Sequence, residues 1–156
     1  MKLSDDLLQG VIPMISTPFT ENEEIDEASL RRLVDFACSC GIQAACLPAY
    51  ASEFYKLTDD EKLQVVKIAV DQAKGRIKIV AQSNHPSLKS AIRLARENVK
   101  NGADIISLAV PRIFSLPEDA LMEYLSGFLA AIPDTPVLIQ DFNPGGASIS
   151  ASFIKK

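Results

Sequence analysis

The sequence predicts an α/β protein built from consecutive βα units on a parallel sheet. Apolar, strand-like runs at residues 10–16, 42–47, 77–81, 104–110 and 136–140 alternate with segments of helical periodicity. The strand starts recur at intervals of about 30 residues, the size of one βα unit. Gly41-Ile42 and Gly102-Ala103 bridge helix to strand in the same way, and no Pro/Gly/Ser-rich linker divides the chain. Residues 1–156 therefore read as a single domain.

The first helix follows an N-cap at Asp26. Leu30, Leu33, Val34 and Ala37 recur at i, i+3, i+4 and i+7, and Gly41 offers a left-handed stop. Thr58-Asp59-Asp60-Glu61 reads as a capping box for a second helix, whose stripe runs through Leu63, Val66, Val70 and Ala73 to Gly75. Ser87 caps a third, with Leu88, Ala91, Ile92, Ala95 and Val99 inward and Gly102 beyond its end. Pro117 stands at the first turn of a fourth, lined by Leu121, Tyr124, Leu125 and Phe128. Residues 148–156 look like the cap and first turn of a fifth helix.

Strands buried on both faces read as continuous apolar runs, as Ile105-Ile106-Ser107-Leu108-Ala109-Val110 and Val137-Leu138-Ile139 do. Helical crossovers force such neighbours to be parallel. An open doubly wound sheet and a barrel both fit. Neither GxGxxG nor GxxxxGK[ST] follows the first strand; Thr17-Pro18-Phe19-Thr20 and an acidic loop at residues 21–24 stand there, so a phosphate cradle is not predicted.

Composition narrows the partners. With 47% hydrophobic and 23% charged residues and a formal charge of -4, the chain is ordinary for a globular domain. Its cations (Arg31, Arg32, Lys62, Lys67, Arg93, Arg96) are scattered, so neither nucleic acid nor an anionic membrane is expected. Asp5 and Asp6 fall where a signal peptide needs its apolar core, and no apolar run approaches a membrane span; a cytoplasmic location is the expectation. The three cysteines, Cys38, Cys40 and Cys46, lack zinc-site spacing and are expected to be reduced, buried thiols, with no metal site.

Gly10-Val11-Ile12-Pro13 leading to Thr17-Pro18-Phe19, then Ile25-Asp26 with Leu30, Leu33, Val34, Asp35 and Phe36, resembles the opening of the dihydrodipicolinate synthase / N-acetylneuraminate lyase family. Ala49-Tyr50-Ala51-Ser52-Glu53-Phe54, followed by Leu57-Thr58-Asp59-Asp60-Glu61, falls where that family carries a Gly-Thr-Thr-Gly-Glu loop. Gly102-Ala103-Asp104, Pro111 and Pro136-Val137-Leu138-Ile139-Gln140-Asp141 fall on later landmarks. The resemblance implies an α/β fold of the (β/α)8 TIM-barrel family, here the N-terminal portion only, about five βα units. A whole barrel of that kind takes about 250 residues, so the chain is expected to be an incomplete barrel, cut short.

The same resemblance implies a lyase or aldolase acting on pyruvate or another 2-oxo acid, with no cofactor and in a homo-oligomer. In that family a lysine on the sixth strand condenses with the keto group, and the iminium serves as electron sink. This chain leaves off after the fifth strand, so it is expected to lack that lysine and to be inactive by itself. Lys78 starts the third predicted strand, at the wrong end for a barrel site, and Lys56 reads as an ordinary solvated lysine. The alternative is a non-catalytic half-barrel that binds or assembles through its open strand edges.

By the same correspondence Tyr50 and Ala51 stand for the threonines that bind the substrate carboxylate, Ser52 for the second glycine, and Glu53 completes the loop. Gln140 stands at the family's catalytic tyrosine and Asp141 at the following asparagine; Gly145 falls near an arginine, and Ile113 at a tyrosine given across a subunit contact. Glutamine cannot exchange a proton near neutral pH, whereas Asp141 can. His85, the only histidine, precedes a helix cap and reads as structural in preference to catalytic, and Asn143-Pro144-Gly145-Gly146 reads as a turn.

Overall fold

A computed structural model of the chain describes residues 8–111, 116–141 and 149–155. The helices form where their caps stand. Asp26 accepts from Ser29 N–H at 2.9 Å and opens α1, Glu27–Ser39. Thr58 Oγ1 accepts from Glu61 N–H at 3.3 Å while Glu61 Oε2 accepts from Thr58 N–H at 2.7 Å, so the predicted box closes at the head of α2, Asp59–Ala73. Ser87 opens α3, Leu88–Lys100, and Ser150 opens α5, Ala151–Ile154. Pro117 stands one place outside α4, Glu118–Ala131, as an extended N-cap.

Between the helices lie β1, Ala44–Cys46; β2, Lys78–Gln82; β3, Ile105–Ala109; and β4, Val137–Gln140. They form one parallel sheet in the order β1-β2-β3-β4. The run predicted as a strand at residues 10–16 is reduced to a single parallel bridge, Met14 to Cys46, made by Ile15 N–H to Cys46 O at 3.1 Å and Cys46 N–H to Pro13 O at 2.9 Å. Pro13 has no N–H to give, and the partner strand has only three residues, so the ladder cannot lengthen.

The sequential order decides between the two architectures. A doubly wound sheet reverses its order and puts helices on both faces, whereas crossovers that always advance one strand keep the helices on one side. The side chains divide accordingly. Ala45, Ile79, Ala81, Ile106 and Leu108 join Leu30, Val34, Val66, Ala95 and Phe128 in one large core between sheet and helices. Ala44, Cys46, Val80 and Ile105 form a separate, smaller cluster on the opposite face with Ala49, and Ile12 and Leu138 pack against it. That is the alternation of a barrel wall, helices outside and an inner face within.

Helix packing corrects several expected positions. Leu33 is 39% exposed, not inward. Arg31 bonds to Asp71 and Gln72 of α2, and Asp35 to Gln72 and to Arg76 just beyond the helix end; Leu33 and Phe36 lie about half a turn round, on the flank away from α2. In α2 the buried arc is wider than the predicted stripe and takes in Val65, Ile68 and Ala69, because this helix touches α1, α3 and β2. Gly102, at φ 94°, ends α3 where a Cβ would come within 2.9 Å of Val70 Cγ1, so both backbone and packing demand glycine. Of the cysteines only Cys46 is buried; Cys40 caps the end of α1 and is exposed, and Cys38 is half-buried.

Asp59, the first residue of α2, ties that helix to α3: it accepts from Lys62 Nζ at 3.0 Å and from Arg93 Nη2 at 2.5 Å. Burial opposes its ionisation, but Lys62 and Arg93 outweigh burial and hold the carboxyl below its usual value of 3.8. A carboxyl depressed by folding stabilises the fold above its unfolded pKa and loses that contribution as pH falls through the folded one. Asp59→Asn should therefore cost about 1 kcal/mol or less at neutral pH, solvent screening being substantial. Urea denaturation of both proteins should show the gap closing below pH 3.8; a gap of equal size at pH 7 and at pH 3 contradicts this account.

Candidate functional site

Barrel sites form where the strands end, because loops from every strand converge there. After β1 the chain makes two single-turn 3-10 helices, Tyr50–Ser52 and Phe54–Lys56, joined at Glu53 in the left-handed region, φ 57°. Ser52 holds this turn: its Oγ accepts from Ala49 N–H at 2.8 Å and donates to Ala49 O at 3.0 Å. Glu53 is turned to its own loop, meeting Lys56 Nζ at 3.0 Å and the Tyr55 hydroxyl at 3.4 Å. The hydrogen bond with Lys56 holds the Glu53 carboxyl below its ordinary range, and the same bond raises the Lys56 ammonium above its own.

Tyr50 is half in solvent, its ring 6.2 Å from Phe54 and 5.9 Å from Tyr55, and Ala51 is exposed. Of the four residues expected to bind a substrate carboxylate, Ser52 and Glu53 thus have their polar groups engaged within the loop. Ala51 has no polar side-chain group.

β2 ends at Gln82, and Ser83, Asn84 and His85 lead on from it toward α3. Gln82 follows Val80 on the inner face, is 1% exposed, and donates from Nε2 to Gln140 Oε1 at 2.8 Å. The two glutamines sit on strands separated by β3, and they meet across it where β3 presents Ser107 and Ala109. Asn84 Oδ1 accepts from Ala109 N–H at 2.5 Å, and Asn98 of α3 donates to Ser83 Oγ at 3.1 Å, so the strand end is pinned on both sides.

His85 Nδ1 accepts from Ser87 N–H at 2.9 Å and its carbonyl from the Tyr124 hydroxyl at 2.6 Å. Burial pushes the Tyr124 phenol up to about 12, which keeps it a donor. The histidine therefore serves the turn into α3, as expected for a residue before a cap.

Gln140 and Asp141, adjacent in sequence, part company in space. Gln140 points inward to Gln82; Asp141 Oδ2 accepts from Ile149 N–H at 2.7 Å and so reaches toward the start of α5. The loop of Tyr50 and the end of β4 stand three strand spacings apart along the sheet, on the order of 14 Å before curvature. Ile113 and residues 143–146 lie outside the described residues.

Gln82 was not singled out from sequence. The signal was present: a polar residue one place beyond the run at 77–81, in phase with Val80, on a strand whose neighbour carries Ser107 in the same register. Among the described residues no group of three or more His, Cys, Asp or Glu could hold a metal ion, and no helix is long and apolar enough to cross a membrane.

The model of the dihydrodipicolinate synthetase family matches residues 7–156. The chain belongs to this family. Its lyase members include curated relatives with which it aligns over nearly its whole length. It is 27% identical over 151 residues to L-2-keto-3-deoxyarabonate dehydratase of Azospirillum brasilense, covering 95% of this chain and 48% of that protein. It is 30% identical over 146 residues to 4-hydroxy-tetrahydrodipicolinate synthase of Salinibacter ruber, covering 94% and 48%. N-acetylneuraminate lyase of Escherichia coli O1:K1 / APEC is 27% identical over 132 residues, with 85% and 44% covered.

Among solved structures, 4-hydroxy-tetrahydrodipicolinate synthase from Methylacidiphilum fumariolicum SolV matches with a TM-score of 0.89 at 27% identity, covering 95% of this chain and 49% of that one. Dihydrodipicolinate synthase from Aquifex aeolicus matches at 0.83 and 29%, covering 86% and 45%. The chain spans about half the length of the curated relatives it matches. Its sheet is the N-terminal half of the family's (β/α)8 barrel.

Cys46 belongs to the inner face of this dihydrodipicolinate synthetase-family half-barrel, and burial pushes its thiol up to about 11. Such a thiol is roughly one part in a thousand thiolate at pH 8. Alkylation with iodoacetamide at pH 8 should label Cys40, which is exposed, and leave Cys46 unlabelled until denaturant is added. Peptide mass spectrometry reads the sites; equal native labelling of both refutes the burial argument.

Proposed function

We propose that these residues form half of the active site of a Schiff-base lyase or aldolase for 2-oxo acids, and that none of their own lysines is the Schiff-base amine. The observation that carries the reading is the inner face itself: where its strands end it holds an amide pair, Gln82 and Gln140, and no amine among the described residues. Schiff-base chemistry asks for a lysine of lowered pKa. Lys56 is exposed and its pKa is raised by Glu53; Lys62 is buried on a helix against Asp59; Lys78 starts β2, at the opposite end of the barrel.

Within this reading the 2-oxo acid carboxylate meets the loop of Tyr50, Ala51, Ser52 and Glu53 through the Tyr50 side chain and the Ala51 N–H, since Ser52 and Glu53 hold the loop's shape and donate their own N–H groups to Ala49 O and Tyr50 O. Gln140 orients by hydrogen bonding at the inner face, and Asp141, whose Oδ2 accepts from Ile149 N–H, acts from the β4–α5 connection beside it. The reaction is closer to dehydration or retro-aldol cleavage of a keto sugar acid than to the synthase reaction. The name of the Azospirillum relative, a 2-keto-3-deoxyarabonate dehydratase, supports that direction. A cytoplasmic homo-oligomer without cofactor completes the proposal.

Incubation with pyruvate and sodium borohydride should leave the mass of the 156-residue chain unchanged. Trapping should appear only when a segment bearing the sixth-strand lysine is supplied, in the same chain or from a second one. An adduct on Lys56 or any other lysine of this chain overturns the proposal.

A second reading, a non-catalytic half-barrel that assembles, is favoured by apolar side chains at both sides of the sheet: Ile139 on β4 is 39% exposed, Val11 73% and Met14 51%. Light scattering distinguishes it. A clean monomer of the 156-residue chain removes this second reading, and a discrete dimer favours it only if borohydride traps no adduct once the sixth-strand segment is supplied.

A further inference from the structure

The inner face carries more polarity than its packing uses. Gln82 is 1% exposed and Ser107 is fully buried, yet Gln82 Oε1 and Ser107 Oγ have no hydrogen-bond partner among the described residues. Buried polar atoms are paired as a rule, because an unpaired one keeps the full penalty of leaving water. These two are register neighbours on adjacent strands, in the same phase, at the end of the barrel where sites form. We propose that Gln82 and Ser107, with Gln140 beside them, form a hydroxyl-recognition subsite that selects 2-oxo acids bearing a hydroxylated tail over unsubstituted ones such as pyruvate. This rests on the 2-oxo acid reading above and adds which part of the substrate the inner face reads.

The chemistry of the set defines the ligand. Gln82 gives one N–H to Gln140 Oε1, a contact that fixes the amide plane and leaves its oxygen as an acceptor. Ser107 can both donate and accept. No cation belongs to the set, so a carboxylate or phosphate placed here would face an amide oxygen without compensation. A hydroxyl group, which donates to Gln82 Oε1 and accepts from Ser107 Oγ, satisfies both orphan atoms at once. All three residues are carried on strands, which hold a recognition group more firmly than a loop does. Ala109, the β3 residue in register with Gln140, is small and leaves the Gln82–Gln140 bridge uncrowded.

The opposite assignment, a purely structural pair, makes a different forecast. A structural hydroxyl loses stability when removed; an unsatisfied one awaiting a ligand does not. The protein carrying these residues, with Ser107→Ala and Gln82→Met made separately, should be titrated calorimetrically with 2-keto-3-deoxygluconate, pyruvate and gluconate. Wild type should prefer the hydroxylated keto acid to pyruvate by about tenfold or more, and each variant should cut that ratio by about five- to tenfold. The thermal midpoint of Ser107→Ala should equal or exceed that of wild type.

Equal binding of both keto acids by wild type, or an unchanged ratio in both variants, overturns the subsite while leaving the 2-oxo acid reading intact. So does a lowered midpoint for Ser107→Ala with an unchanged ratio. Binding of gluconate that depends on Ser107, with neither keto acid bound, upholds the subsite and removes the 2-oxo acid reading.

Discussion

The two-residue phase of the parallel ladder governs this half-barrel. Ala44 lies opposite Lys78, Val80 opposite Ile105 and Ser107 opposite Leu138, so one choice of phase at β1 fixes which side chains of all four strands face inward. The outer phase is apolar throughout and is absorbed by the helices except at Ile139 of β4, which stays 39% exposed. The inner phase is apolar at Ala44, Cys46, Val80 and Ile105, then becomes polar at Gln82, Ser107 and Gln140. A shift of one residue in β2, β3 or β4 would send an amide or a hydroxyl into the helix layer. The hydrophobic core and the candidate site are thus two results of the same register.

The helices hold that phase from outside. α2 is buried along a wide arc between α1, α3 and β2, and its charged neighbours are drawn into cross-helix pairs, Arg31 with Asp71, Arg76 with Asp35 and Arg93 with Asp59. Most of these pairs lie at the surface and contribute little energy each. Their value is directional, since they fix the rotation of one helix against the next. The C-terminal end of β2 is tied in the same manner, by Asn98 to Ser83 on the helix side and by Gln82 to Gln140 on the inner side.

What was legible in the sequence is what local chemistry determines. Asp26, Thr58 with Glu61, and Ser87 announce their helices because a cap acts within one turn, and each makes the predicted bond. The four strands of the sheet were visible as apolar runs. The first run was not distinguishable from a full strand, because its reduction to one bridge depends on Pro13 and on the shortness of its partner. Leu33 fitted the periodic stripe, but which flank of a helix is covered is decided by neighbours distant in sequence. Gln140 was found through family correspondence, and its partner Gln82 was missed for being one residue past the apolar run. Their meeting across β3 is a tertiary fact that neither local pattern contains. Asp141 shows the converse: adjacency to Gln140 in sequence suggested one site, whereas alternation sends the two side chains to different partners.

Ser52 closes its turn upon Ala49 with two hydrogen bonds of its own and asks nothing of the side chains at Tyr50 and Ala51. A loop braced in this way keeps its path whatever those two positions carry. Divergence can therefore act on them freely, exchanging one exposed side chain for another while the strands and helices below are undisturbed. Self-bracing of this kind separates the path of a loop from the chemistry that its exposed positions carry.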